Sequence, residues 1–97
     1  MALCPLEYEA ADCRSMAYEF QGHPEEALLL RLADEFDRLA LERDWPLGFN
    51  AKDLSYFAKR ATQETTAAVR ATNPKARLAH LRMAQRYARL SRPFGAH

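Results

Sequence analysis

The chain writes one helical pattern twice. Residues 30–40 read LRLADEFDRLA and residues 81–91 read LRMAQRYARLS. Five of the eleven positions are identical: Leu30/Leu81, Arg31/Arg82, Ala33/Ala84, Arg38/Arg89 and Leu39/Leu90. Three more exchange like for like, namely Leu32/Met83, Phe36/Tyr87 and Ala40/Ser91. Each copy has a proline upstream, Pro24 or Pro74, and before it a tyrosine, Tyr8 or Tyr56. A recurring segment of this kind predicts a duplicated helix–turn–helix unit of about 50 residues. That constrains the fold strongly and leaves the activity open.

Glycine and proline mark the boundaries. Gly22, Gly48, Gly95 and Pro5, Pro24, Pro46, Pro74, Pro93 all fall between stretches that contain neither residue. Four helices follow, over 5–21, 24–44, 51–72 and 74–91. Pro24 and Pro74 suit a first helical turn, where a missing N–H removes no bond. Glu25 and Glu26 complement the positive helix start. Asn50 with Asp53 forms the pattern of a reciprocal cap, and Asn73 ahead of Pro74 is a second N-cap.

Apolar spacing gives the same four elements. Leu29, Leu32, Ala33, Phe36, Leu39 and Ala40 recur at three- and four-residue intervals on one stripe of the second helix. His80, Met83, Ala84, Tyr87, Leu90 and Ser91 take those places in the fourth. Leu6, Ala10, Cys13, Ala17 and Phe20 line the first. The third begins well with Leu54, Phe57, Ala58 and Ala61, but Thr62–Thr72 is polar and should be the least stable part of the fold. Short joints make the paired helices antiparallel neighbours. The connection Asp44–Asn50 carries Trp45, Leu47 and Phe49, apolar side chains suited to plugging the end of a bundle. The fold class predicted is all-α: one domain over 1–97, a four-helix bundle built from two divergent copies of an antiparallel helical hairpin. Copy one covers about 5–44, the linker 45–50 and copy two about 51–92.

Eighteen alanines and thirteen leucines dominate, isoleucine is absent and Val69 is the lone valine, a bias toward helix. The formal charge of +1 conceals an asymmetry. Residues 1–48 carry eleven acids and four arginines, a balance of −7, while residues 49–97 carry two acids and ten Lys or Arg, a balance of +8. Cys4 and Cys13 lack CxxC spacing and no signal peptide precedes them, so they read as reduced thiols of a cytoplasmic protein. Cys4 is expected to be a mobile terminal thiol open to oxidation. The longest apolar run, Ala27–Leu30, is far too short to span a membrane.

Few residues invite chemistry. His80 occupies an apolar-stripe position filled by leucine in the other copy, but no HxxxH or ExxH pair accompanies it, so a structural histidine is the better reading. Cys13 lies on an apolar stripe, and Arg14 beside it points about 100° away on a helix, leaving the thiol unactivated. The tyrosines and Trp45 read as core or rim rather than a ligand cage. No phosphate-cradling glycine loop, GxSxG or calcium loop is present. Neither an enzyme nor a cofactor is indicated.

The fourth helix carries a basic stripe, Lys75, Arg82, Arg86 and Arg89, on a side away from its apolar positions. Such a face can grip phosphates. Gln85 is the lone amide among those positions, which leaves base-specific readout poor.

Tyr8, Ala10, Cys13 and Ala17 followed by PEEALLLRLADEFDRLA (Pro24–Ala40) resemble a group of short, functionally uncharacterised helical-hairpin proteins found mainly in alphaproteobacteria, including rhizobia. The shared pattern runs tyrosine, small residues, often cysteine, a proline–acid turn, paired leucines, alanine and an aromatic, then Leu-Ala. It covers about 40 residues well and the rest loosely. The second copy departs from it, with Ala61 where Cys13 would align and His80 in place of a leucine. The resemblance implies a helical hairpin and brings no activity.

The function expected is therefore a non-catalytic interaction module that self-associates as a homodimer or binds a protein partner. Its contact residues are outward Leu30 and Leu41, the linker's Trp45, and the cations Lys75, Arg82, Arg86 and Arg89. Two alternatives stand beside it: a nucleic-acid binder using the basic fourth helix, and a small-ligand bundle centred on His80 and the tyrosines.

Overall fold

A computed structural model of the chain describes residues 4–43 and 48–92. It contains α1 (Pro5–Ala17), α2 (Pro24–Glu42), α3 (Ala51–Arg70) and α4 (Pro74–Ser91), and no strand occurs among the described residues. The all-α class read from the apolar spacing is what the chain adopts. α1 packs against α2 and α3 against α4, and the chain divides into two compact units, residues 1–47 and 48–97. Each unit is an antiparallel hairpin, since helices that touch across so short a joint run in opposite directions. No described helix is long and apolar enough to cross a membrane.

Local chemistry sets the boundaries. Pro5, Pro24 and Pro74 open their helices in the first turn. At α3 the Asn50 side chain accepts from the Asp53 N–H at 2.8 Å, and Asp53 Oδ2 accepts from the Asn50 N–H at 3.3 Å. This reciprocal cap satisfies two donors that the helix itself cannot. Asn73 caps α4 by accepting from the Lys75 N–H at 2.8 Å. Asn50→Ala should lower stability by about 1 kcal/mol, read as a shifted urea midpoint at unchanged slope. An unmoved midpoint would show that the cap is inert.

Three helices are shorter than their sequence implies. α2 ends at Glu42, with Arg43 extended. α1 stops at Ala17 and tightens into a 3-10 turn, Tyr18–Phe20, after which Gln21 is extended and Gly22 takes φ 83°. That left-handed conformation suits glycine. α3 stops at Arg70, with Ala71 extended, because the turn into Asn73–Pro74 needs non-helical backbone before the proline.

In the first hairpin Leu6, Ala10, Cys13, Ala17 and Phe20 are buried, as are Leu29, Leu32, Ala33 and Phe36 of α2. Cys4 is not the mobile terminal thiol its position suggests. It is buried at the N-cap of α1, and both cysteines are thiols rather than disulfide halves. The second hairpin buries Phe57, Ala68, Ala79, Met83, Ala84, Tyr87 and Leu90. The Phe57 ring takes Phe49 edge-on at 5.1 Å between centroids and lies 6.5 Å from Tyr87. Of the linker, Trp45 and Leu47 lie outside the described residues, while Phe49 is half-buried. The threonine-rich half of α3 is helical throughout. Thr62 and Thr65 turn their hydroxyls onto the Ala58 and Ala61 carbonyls at 3.2 and 2.9 Å, the usual way such residues sit in a helix.

One offset of 51 residues maps burial in one hairpin onto the other. Leu6, Cys13, Ala17, Leu32, Ala33 and Phe36 correspond to Phe57, Glu64, Ala68, Met83, Ala84 and Tyr87. Tyr8 and Tyr56 do not share this register. Glu64, and not Ala61, takes the place of Cys13.

Candidate interaction surface

The second helix of each hairpin presents an outward face at the same register positions. On α2 it is Ala27, Leu30, Asp34, Arg38 and Leu41; on α4 it is Leu78, Leu81, Gln85, Arg89 and Arg92, all exposed. Leu30 is 40% exposed and its counterpart Leu81 42%. Leu41 at 89% and Leu78 at 42% lie on the same two faces. The spacing of three and four residues keeps these side chains on one strip of each helix. Solitary exposed leucines are ordinary on a protein surface; one pair at a matched position of two helices, Leu30 and Leu81, each with a second leucine on its face, is a stronger signal.

Beside Leu30 the first hairpin opens a groove of about 320 Å³ lined by Arg14, Ala17, Tyr18, Glu26 and Leu30. Its position follows from the 3-10 turn, which swings Tyr18 outward to 75% exposure. The groove combines an apolar floor with one cation and one carboxylate. Arg14 is spoken for: its Nη2 donates to Asp37 Oδ2 at 2.6 Å and Asp34 Oδ1 at 3.2 Å. Hydrogen bonding to Asp37 leads in raising the guanidinium pKa above its ordinary value. The pair is solvent-exposed and contributes little to stability. It does fix Asp34 and Asp37, two of the acids between Leu30 and Leu41, to a partner within their own hairpin.

The basic stripe is less open than its spacing suggests. Lys75 and Arg89 are exposed, but Arg82 and Arg86 are half-buried with their Nε atoms shielded from solvent. All four side chains are engaged in interactions. The placement away from the apolar stripe therefore holds for two of the four. Long arginine stems bury readily along the flank of an apolar face while their heads seek partners.

A polar cluster lies in the second hairpin. Glu64 is buried on α3. Its Oε1 is hydrogen-bonded to His80 Nδ1 of α4 at 2.7 Å, and its Oε2 accepts from Arg60 Nη2 at 3.0 Å. Arg60 also covers the buried Tyr87 ring, 5.0 Å from its centroid, a cation–π placement. His80 is thus a bridge between two helices. Among the described residues no three His, Cys, Asp or Glu side chains gather as metal ligands.

Of the residues expected to bind a partner, Leu30 and Leu41 share one face of α2, and Lys75 and Arg89 are exposed on α4. Arg82 and Arg86 lie half-buried on its flank, and Trp45 is outside the described residues. Sequence reasoning missed Leu78, Leu81 and Tyr18 as surface residues, and Glu64 as the partner of His80. The Leu30/Leu81 identity already carried the signal for Leu81. No protein-family model, curated protein or solved structure matches the chain.

Proposed function

We propose that this chain is a non-catalytic interaction module that engages protein through the outward faces of α2 and α4. The observation that supports it best is the matched exposure of Leu30 and Leu81, each joined on its helix by a second exposed leucine. Apolar side chains held outward on rigid helices gain most when another surface covers them. The groove beside Leu30 extends the first of these faces.

A photoreactive phenylalanine analogue at position 30 or 81 should give discrete protein adducts in cells, while the same residue at the exposed polar position Thr66 should not. Leu30→Asp and Leu81→Asp should abolish complex formation and leave the helical signal unchanged. Equal labelling from all three positions, or none from 30 and 81, would end the reading. The nucleic-acid alternative draws less support, because Arg82 and Arg86 are half-buried and all four cations are engaged. Salt-sensitive binding of DNA or RNA, lost when Lys75, Arg82, Arg86 and Arg89 become alanine, would restore it.

A further inference from the structure

We propose that the partner of these faces is a second copy of the chain, with α2 of one copy lying antiparallel along α4 of the other. The inference rests on the interaction reading above and names its occupant. Charge complementarity carries it. The first hairpin holds a balance of −7 and the second +8, and the carboxylates that flank the outward face of α2 stand near its two ends. Glu26 lies in the first turn and Glu42 is the last residue. α4 likewise has an exposed arginine near each end, Arg77 in the first turn and Arg92 at the C-cap.

Running the helices in opposite directions, with Asp34 level with Gln85, brings Glu42 to Arg77 and Glu26 to Arg92. The same register sets Leu41 against Leu78, with Leu81 one turn away, and lays the Arg38 stem over Leu81. The parallel alternative pairs the end charges as well, Glu26 with Arg77 and Glu42 with Arg92, but it sets the like charges Arg38 and Arg89 side by side and parts Leu41 from Leu78. The antiparallel register is preferred on those two counts. Neither Arg77 nor Glu42 is tied in a way that blocks this. Arg77 Nη2 donates to the Ala71 carbonyl at 3.1 Å, and among the described residues Glu42 makes a 3.5 Å ion pair with its neighbour Arg43, with more than half of its side chain in solvent. Each copy offers both an α2 and an α4, so the contact closes as a two-fold dimer or continues head to tail.

Paired charge reversal tests this. The full-length chain should associate in sedimentation velocity at tens of micromolar, and more weakly at high salt. Glu42→Arg alone and Arg77→Glu alone should each weaken association at least about tenfold, since each sets like charges together. Mixing those two variants should restore it. One contact of the mixed pair then carries both substituted side chains, arginine facing glutamate, and the other keeps the native Glu42–Arg77 pair. Leu41→Asp should abolish association with the helical signal intact. A monomer at every salt and concentration would overturn the second copy as occupant, as would variants that fail to rescue each other on mixing. If photoreactive positions 30 and 81 then still captured a different protein, the interaction reading would survive that loss. If they captured none, both would fall.

Discussion

Phe36→Ala is expected to remove about 3–5 kcal/mol of folding stability. Phe36 is fully buried at the centre of the α2 stripe, with Leu32 and Ala33 buried beside it. Truncation loses the transfer free energy of the ring and leaves a cavity that rigid helices only partly fill. A domain of this size has a total stability of about 5–15 kcal/mol, so the loss is a large fraction of the whole. Phe36→Leu should cost less than half as much, because it keeps most of the volume. Chemical denaturation followed by far-UV circular dichroism reads both. An alanine variant within about 1 kcal/mol of the parent would show that the ring is not packed as described, given the usual range for such truncations.

The second large effect concerns Glu64 and His80. His80→Leu leaves a buried carboxylate with Arg60 as its remaining charged donor, and Glu64→Met leaves the imidazole without its acceptor. Each single change should cost about 1–3 kcal/mol, the price of a buried polar group left unsatisfied. The double variant Glu64→Met/His80→Leu should recover most of that loss, since removing both members of a buried pair is often nearly neutral. The first hairpin carries the apolar version of this pair at the corresponding positions, where Cys13 and Leu29 are both fully buried. A double-mutant cycle with a coupling near zero would show that the two side chains act independently.

These two sites also mark how far the sequence could be read. The core of α2 and α4 was legible because apolar residues at three- and four-residue spacing leave little choice of face. Helix starts were legible because proline, asparagine and a following acid act locally, as the Asn50–Asp53 cap does. The end of α1 was not, since a 3-10 turn at Tyr18 depends on how the chain enters Gly22. Glu64 was hidden for a different reason. An acid in a threonine-rich stretch looks solvated until His80 arrives from α4 and Arg60 from the preceding turn of α3. The half-burial of Arg82 and Arg86 escaped notice because helical spacing gives a direction and not the depth of the surrounding surface. Leu81 was legible through its identity with the outward Leu30, whereas Leu78 had no such guide, its counterpart in the first copy being Ala27.

The Glu64–His80 bridge bears on how the chain avoids tangling with itself. Helices this alike in sequence could trade mates while folding, α3 laying itself along α2 in place of α4. That error would bring the Glu64 carboxylate up against Leu29, which offers no donor, leaving it Arg60 of its own helix and the same unmet acceptor that His80→Leu creates. The bridge thereby works as a lock and key between one pair of look-alike helices, rejecting the wrong mate more firmly than it rewards the right one.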